Sequence, residues 1–156
     1  MIDIVIDTCT LKHANDPNSK YFEHSVTFIN KMFQNNVICT MDEGFALDES
    51  LNQSYIGLEY LNHLQPGSLG FNLIVHLATT NRIEFVTKKI PNGRKKYIEQ
   101  LIRNKKDRIF LSVTHNSNDK TLASHDFTDY QKKKRKKIFK DIAIKIVTAE
   151  EIGANL

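Results

Sequence analysis

Apolar residues along the chain follow two rhythms. Short, mostly apolar runs at residues 4–6, 37–39, 83–86, 121–124 and 143–147 read as strands of a buried sheet. Between them, apolar positions recur every three or four residues, the period of a helix with one buried stripe. Phe22, Val26, Ile29 and Phe33 mark one such helix, with Asp16-Pro17-Asn18-Ser19 as a capped start and Asn35-Asn36 as its stop. Residues 8–18 read as a polar connection. Met41-Asp42-Glu43-Gly44 reads as a turn leading into a helix over about 47–64, with Leu51, Tyr55, Leu58 and Leu61 facing inward and Pro66-Gly67 ending it. A helix over 70–79 follows. After a turn at Ile90-Pro91-Asn92-Gly93 comes a helix carrying Tyr97, Ile98, Leu101 and Ile102. Asp107 opens another, carrying Ile109, Phe110 and Val113, and a Lys-rich helix covers about 129–140. Strands separated by helices imply parallel pairing with helices on both faces, the α/β class. No repeat or linker divides the chain, so residues 1–156 are expected to form one domain.

No apolar run approaches the roughly 20 residues that cross a bilayer, and Met1-Ile2-Asp3-Ile4 lacks the basic-then-apolar layout of a signal peptide. The two cysteines, Cys9 and Cys39, form no Cys-x-x-Cys, so neither structural zinc nor a disulfide framework is indicated. A cytoplasmic protein with no membrane partner is expected. The net charge of +4 is mild, but its distribution carries information. Cations gather at 88–108 and 132–145, while residues 42–49 are acidic. A basic surround on an acidic pocket suits a polyanion held over a cation.

Several α/β sites are absent. No Gly-x-Gly-x-x-Gly, no Gly-Lys-Ser/Thr loop and no Gly-x-Ser-x-Gly occurs, and no two histidines have helical ligand spacing. Carboxylates remain. Asp7 ends the first apolar run, Asp126 ends the fourth, Asp107 stands in the first turn of the helix before it, and Glu49 lies early in the helix after strand two. Strand C-termini and helix N-termini of one sheet meet on the same edge, where open α/β sheets bind ligands. Each acid has a simpler reading alone: Asp7 as the cap of the following turn, Asp107 as a helix N-cap, Asp126 as an Asx turn, Glu49 as a solvated helix residue. Asp42, Glu43 and Asp48 compete with Glu49, which is preferred because its helical partners Leu51 and Tyr55 are read as core. Carboxylates gathered together repel unless a divalent cation neutralises them, and oxygen-only ligands suit Mg²⁺ or Mn²⁺.

Val5-Ile6-Asp7-Thr8-Cys9-Thr10-Leu11, Lys106-Asp107-Arg108-Ile109-Phe110-Leu111 and Thr121-Leu122-Ala123-Ser124-His125-Asp126 together resemble the PIN-domain nucleases. The resemblance implies a three-layer sandwich with a five-stranded parallel sheet ordered 3-2-1-4-5. It also implies metal-holding acids at Asp7, Glu49, Asp107 and Asp126, and phosphodiester hydrolysis leaving a 5′-phosphate and a 3′-hydroxyl. Cys9 stands where that family often has Asn or Ser. Thr8, Ser124 and Asp129 are candidates to support the ligands. Lys106, Arg108, Lys132, Lys133, Lys134 and Arg135 are candidates to track a phosphate backbone. The expected function is an endoribonuclease acting on single-stranded RNA, as a toxin, an RNA-processing enzyme or a phage-defence effector. An inhibitory protein partner or a homo-oligomer would restrain it. The alternatives are an inactive binding or scaffold subunit and a structure-specific DNA nuclease.

Overall fold

β1 (Asp3–Ile6) is buried at every position, which a strand achieves only when its sheet is covered on both faces. The computed structural model describes residues 2–156; Met1 lies outside the described residues. β1 is the middle strand of a wholly parallel five-stranded sheet ordered β3-β2-β1-β4-β5. The others are β2 (Ile38–Asp42), β3 (Ile83–Val86), β4 (Thr121–Ala123) and β5 (Lys145–Val147). Class and strand order agree with the expectation from sequence.

The helices are α1 (Thr8–His13), α2 (Phe22–Gln34), α3 (Tyr55–His63), α4 (Leu69–Thr79), α5 (Asn92–Leu101), α6 (Lys105–Asn116), α7 (Lys132–Ile142) and α8 (Ala149–Gly153). α2 packs with α1, α4 and α8, while α6 pairs with α5 and lies across β1, β2 and β4. These layers close over a core that includes Ile4, Ile6, Phe28, Met32, Phe110 and Leu122. Among the described residues no helix is long and apolar enough to cross a membrane.

Asp3 secures the near edge of the sheet. Its carboxylate accepts from the Asn118 N–H at 2.9 Å, the Asp119 N–H at 2.7 Å and the Thr40 hydroxyl at 3.1 Å. Burial alone would push its pKa up, but these donors hold it below the ordinary carboxylate value. β1, β2 and the approach to β4 are thereby joined at one residue.

Two segments differ from their sequence reading. Residues 8–18 are not all connection, because α1 begins directly after Asp7. The helix read over 47–64 is only its second half. Residues 43–54 are irregular, Leu51 is 68% exposed, and the buried face of α3 is Ile56, Gly57 and Tyr60 rather than Leu51 and Leu58. The physical reason is a double cap. The Ser54 hydroxyl accepts from the Gly57 N–H, and the Asp42 carboxylate accepts from the N–H groups of Tyr55 (2.7 Å) and Ile56 (2.9 Å) and from the Ser54 hydroxyl (2.7 Å). Donors at a helix N-terminus that are met this way fix where the helix starts. Upstream, Gly44 at φ +88° lets the chain fold back so that Gln53 N–H donates to its carbonyl at 2.8 Å.

Asp42 is 1% exposed and satisfies three donors. Asp42→Ala is therefore expected to lower unfolding free energy by about 2–3 kcal/mol, the loss of a cap plus buried donors left unpaired. Urea unfolding measures this, and a loss under about 0.5 kcal/mol, the size of an ordinary surface substitution, would show that α3 starts without it.

Candidate metal centre

β1 and β4 run side by side in register, Val5 opposite Leu122 and Ile6 opposite Ala123. The strands stay paired to their C-terminal ends, where the Asp7 N–H donates to the Ala123 carbonyl at 2.9 Å. Asp7 therefore leaves the sheet at the same edge as the segment carrying Asp126. The first turn of α6, packed across these strands, delivers Asp107 to that edge. Asp7, Asp107 and Asp126 each offer a carboxylate oxygen, and these oxygens all lie within 4.8 Å of one another.

The simpler roles for these acids fail at two of the three positions. Asp7 stands at the N-cap of α1, yet its side chain accepts no capping hydrogen bond. Asp107 is not the cap of α6, because Asn104 holds that place and accepts from the Lys106 N–H at 2.9 Å. Asp126 does form an Asx turn: its Oδ1 accepts from the N–H groups of Thr128 (2.9 Å) and Asp129 (3.0 Å).

The set is poorly satisfied. Asp7 and Asp107 are each 1% exposed. One oxygen of Asp7 accepts from the Ser124 hydroxyl at 2.8 Å, but its Oδ1 and both oxygens of Asp107 meet no donor. Buried carboxylate oxygens without partners are costly and call for an explanation. Burial first, then Asp129, Asp7 and Asp126, push Asp107 up to about 8, with Lys106 opposing the shift. Lys106 shows the converse. Burial would lower its pKa, but Asp7, Asp107, Glu59 and Cys9 together hold it above the ordinary lysine value. The acids thus favour its charged form.

Supporting residues surround the cluster. The Ser124 hydroxyl donates to Asp7 and accepts from the Asp126 N–H at 3.1 Å, coupling the two acids through one side chain. Thr8 follows Asp7 with a buried hydroxyl that has no partner, and Asp129 faces Asp107. The fully buried Tyr130 donates to the Asp107 carbonyl at 2.9 Å. Cys9 lies with its sulfur 3.9 Å from the Ser124 hydroxyl, and burial together with Asp7 pushes its thiol up to about 12, far from a nucleophilic thiolate.

Two sequence assignments are corrected here. Glu49 is exposed, lies in a turn rather than a helix, and stands outside the cluster, because α3 begins six residues later. Its rivals Glu43 and Asp48 are exposed too, and Asp42 is occupied with capping. The helical glutamate that helps to raise the Lys106 pKa is Glu59, on α3; its carboxylate lies 3.4 Å from His63 Nε2 and is not among the converging oxygens. The Ser54 cap and the Ile56/Tyr60 spacing carried the signal that points to it. Arg135 is also reassigned. It is 9% exposed and donates to the carbonyls of Tyr130, Ser124 and Asp126 at 2.6, 3.1 and 2.9 Å. It pins the connection that carries Asp126 and does not face solvent. Of the other cations, Lys132 and Lys133 are exposed, Lys134 donates to the Leu101 carbonyl at 2.9 Å, and Arg108 donates to the Arg103 carbonyl at 2.9 Å.

No protein-family model matches the chain, and comparison with curated proteins and with solved structures finds no match.

Asp107 binds a proton in the folded state over a range where the unfolded chain has released it, from about pH 4 to about 8. Metal-free protein should lose stability as pH rises through that window, and Asp107→Asn should flatten the loss. Melting temperatures in EDTA from pH 5 to 9 test this; parallel slopes for the two proteins would show that Asp107 titrates normally.

Proposed function

We propose that the chain is a PIN-like, Mg²⁺- or Mn²⁺-dependent endoribonuclease that hydrolyses phosphodiester bonds of single-stranded RNA. The observation carrying this reading is the convergence of Asp7, Asp107 and Asp126 with three of their buried oxygens unpartnered. Those oxygens fit a hard divalent cation, which an oxygen-only set prefers to zinc. Asp7, Asp107 and Asp126 would hold it, and Glu59, outside the converging oxygens, replaces Glu49 as the helical acid to be tested beside them. The bound ion supplies charge neutralisation at the phosphate and an acidified water.

The remaining chemistry belongs to the chain. Ser124 fixes the orientation of Asp7, and Arg135 fixes the backbone on both sides of His125. Lys106, whose charge the acids sustain, would oppose negative charge that develops on a phosphate oxygen. RNA is favoured over duplex DNA because a chain of 156 residues has little room for extra helical elements that grip a duplex. Free Cys9 and Cys39 fit a reducing cytoplasm. A nuclease with such a site needs restraint in its own cell, which favours an inhibitory protein partner or a covering second copy.

Digestion of matched RNA and DNA oligonucleotides with Mg²⁺ or Mn²⁺ should show RNA cleavage. Asp7→Asn should reduce it by more than the about 10- to 100-fold that loss of an outer partner costs. Cleavage surviving Asp7→Asn would identify a contaminant and remove the assignment. Within the same assay, Glu59→Gln is expected to impair cleavage and Glu49→Gln to leave it intact; the reverse order would return the fourth place to Glu49. Mn²⁺ should also raise the melting temperature, and Asp126→Asn should blunt the rise.

A further inference from the structure

A second feature is built from the chain neighbours of Asp126 and is not used by the acids. A cavity of about 530 Å³ has Tyr21, His125 and Phe127 among its walls, and the last two are the chain neighbours of Asp126. The rings form a cluster. Tyr21 and His125 lie 4.2 Å apart between centroids, His13 backs both at 5.0 and 5.5 Å, and Tyr21 and Phe127 are 6.5 Å apart with planes 30° from parallel. The Arg135 guanidinium sits 4.1 Å from the Phe127 centroid and holds that ring in place. His125 Nε2 accepts from the Ala149 N–H at 3.1 Å, so this nitrogen carries no proton and the ring is neutral.

The walls of the cavity suit a base. Glu150 in its lining is paired with His24 at 3.5 Å, and the rings of Tyr21, His125 and Phe127 make up its aromatic side. Lys20 and Lys132 also line it, and Lys20 Nζ stands 5.0 Å from the Tyr21 centroid. An aromatic wall flanked by isolated ammonium groups is the arrangement that receives a nucleobase while its backbone phosphates meet the cations.

We propose that this cavity is a nucleobase subsite, taking one unpaired base next to the phosphodiester presented to Asp126. The proposal rests on the hydrolytic reading of the acids. It gives a physical basis for single-strand preference, since a base can reach the Tyr21 and Phe127 rings only when it is neither paired nor stacked within a duplex.

The test is equilibrium binding in EDTA, where hydrolysis is arrested, using a single-stranded RNA oligonucleotide carrying 2-aminopurine. Wild-type protein should quench the fluorophore on binding. Tyr21→Ala and Phe127→Leu should each weaken binding about 5- to 150-fold, the range of one lost base–aromatic stack, and Tyr21→Phe should retain it. On an all-abasic ribose-phosphate oligomer of equal length, all three variants should bind as wild type does. Absence of quenching by wild type, or equal weakening on the normal and abasic oligomers, overturns the subsite. Cleavage with Mn²⁺ separates the two readings. Asp7-dependent cleavage without Tyr21-dependent quenching removes the subsite alone. Tyr21-dependent quenching without cleavage upholds the subsite and removes the hydrolase.

Discussion

The constraint on which this molecule depends is the parallel pairing of β1 with β4 through to their last residues. Because the Asp7 N–H reaches the Ala123 carbonyl, the strand ends cannot drift apart, and the acids beyond them must face one another. Like charges held this way gain nothing from proximity in an apolar setting. The surrounding structure accepts the repulsion and contains it. Ser124 couples Asp7 to the Asp126 backbone, Arg135 gathers three carbonyls of the connection after β4, and Lys106 supplies one opposing charge. Several side chains are thus devoted to holding an arrangement that is itself unfavourable, which is the pattern expected of a functional site rather than of a structural one.

Much of the architecture was legible because the signal was local. Buried runs such as Ile4-Val5-Ile6 and the alternation of runs with helical stripes are enough for an α/β parallel sheet. Asp7, Asp107 and Asp126 were visible as acids at strand ends and at a helix start, the positions that topology brings to one edge. α1 was not visible. Its buried residues are Thr8, Thr10 and Leu11, so it has no apolar stripe to betray it.

The error over Glu49 has a longer reach. α3 starts where Asp42, thirteen residues earlier in the chain, meets the Tyr55 N–H, and no local pattern encodes such a contact. Starting the helix too early moved the inferred inner face from Ile56 and Tyr60 to Leu51 and Leu58, and carried the choice of glutamate with it. Arg135 is a different case. Its spacing of three and four residues to Ile138 and Ile142 marks the inner face of α7, but a run of six cations masks that period.

Asp126 is held by its own backbone turn, with Oδ1 taking the N–H groups of Thr128 and Asp129. Asparagine forms Asx turns as readily as aspartate does. The local fold at this position is thus indifferent to whether the side chain is an anion or a neutral amide. A single-step exchange of acid for amide there would remove one charge from the cluster while sparing the scaffold, so the charge of this edge can change without a change of fold.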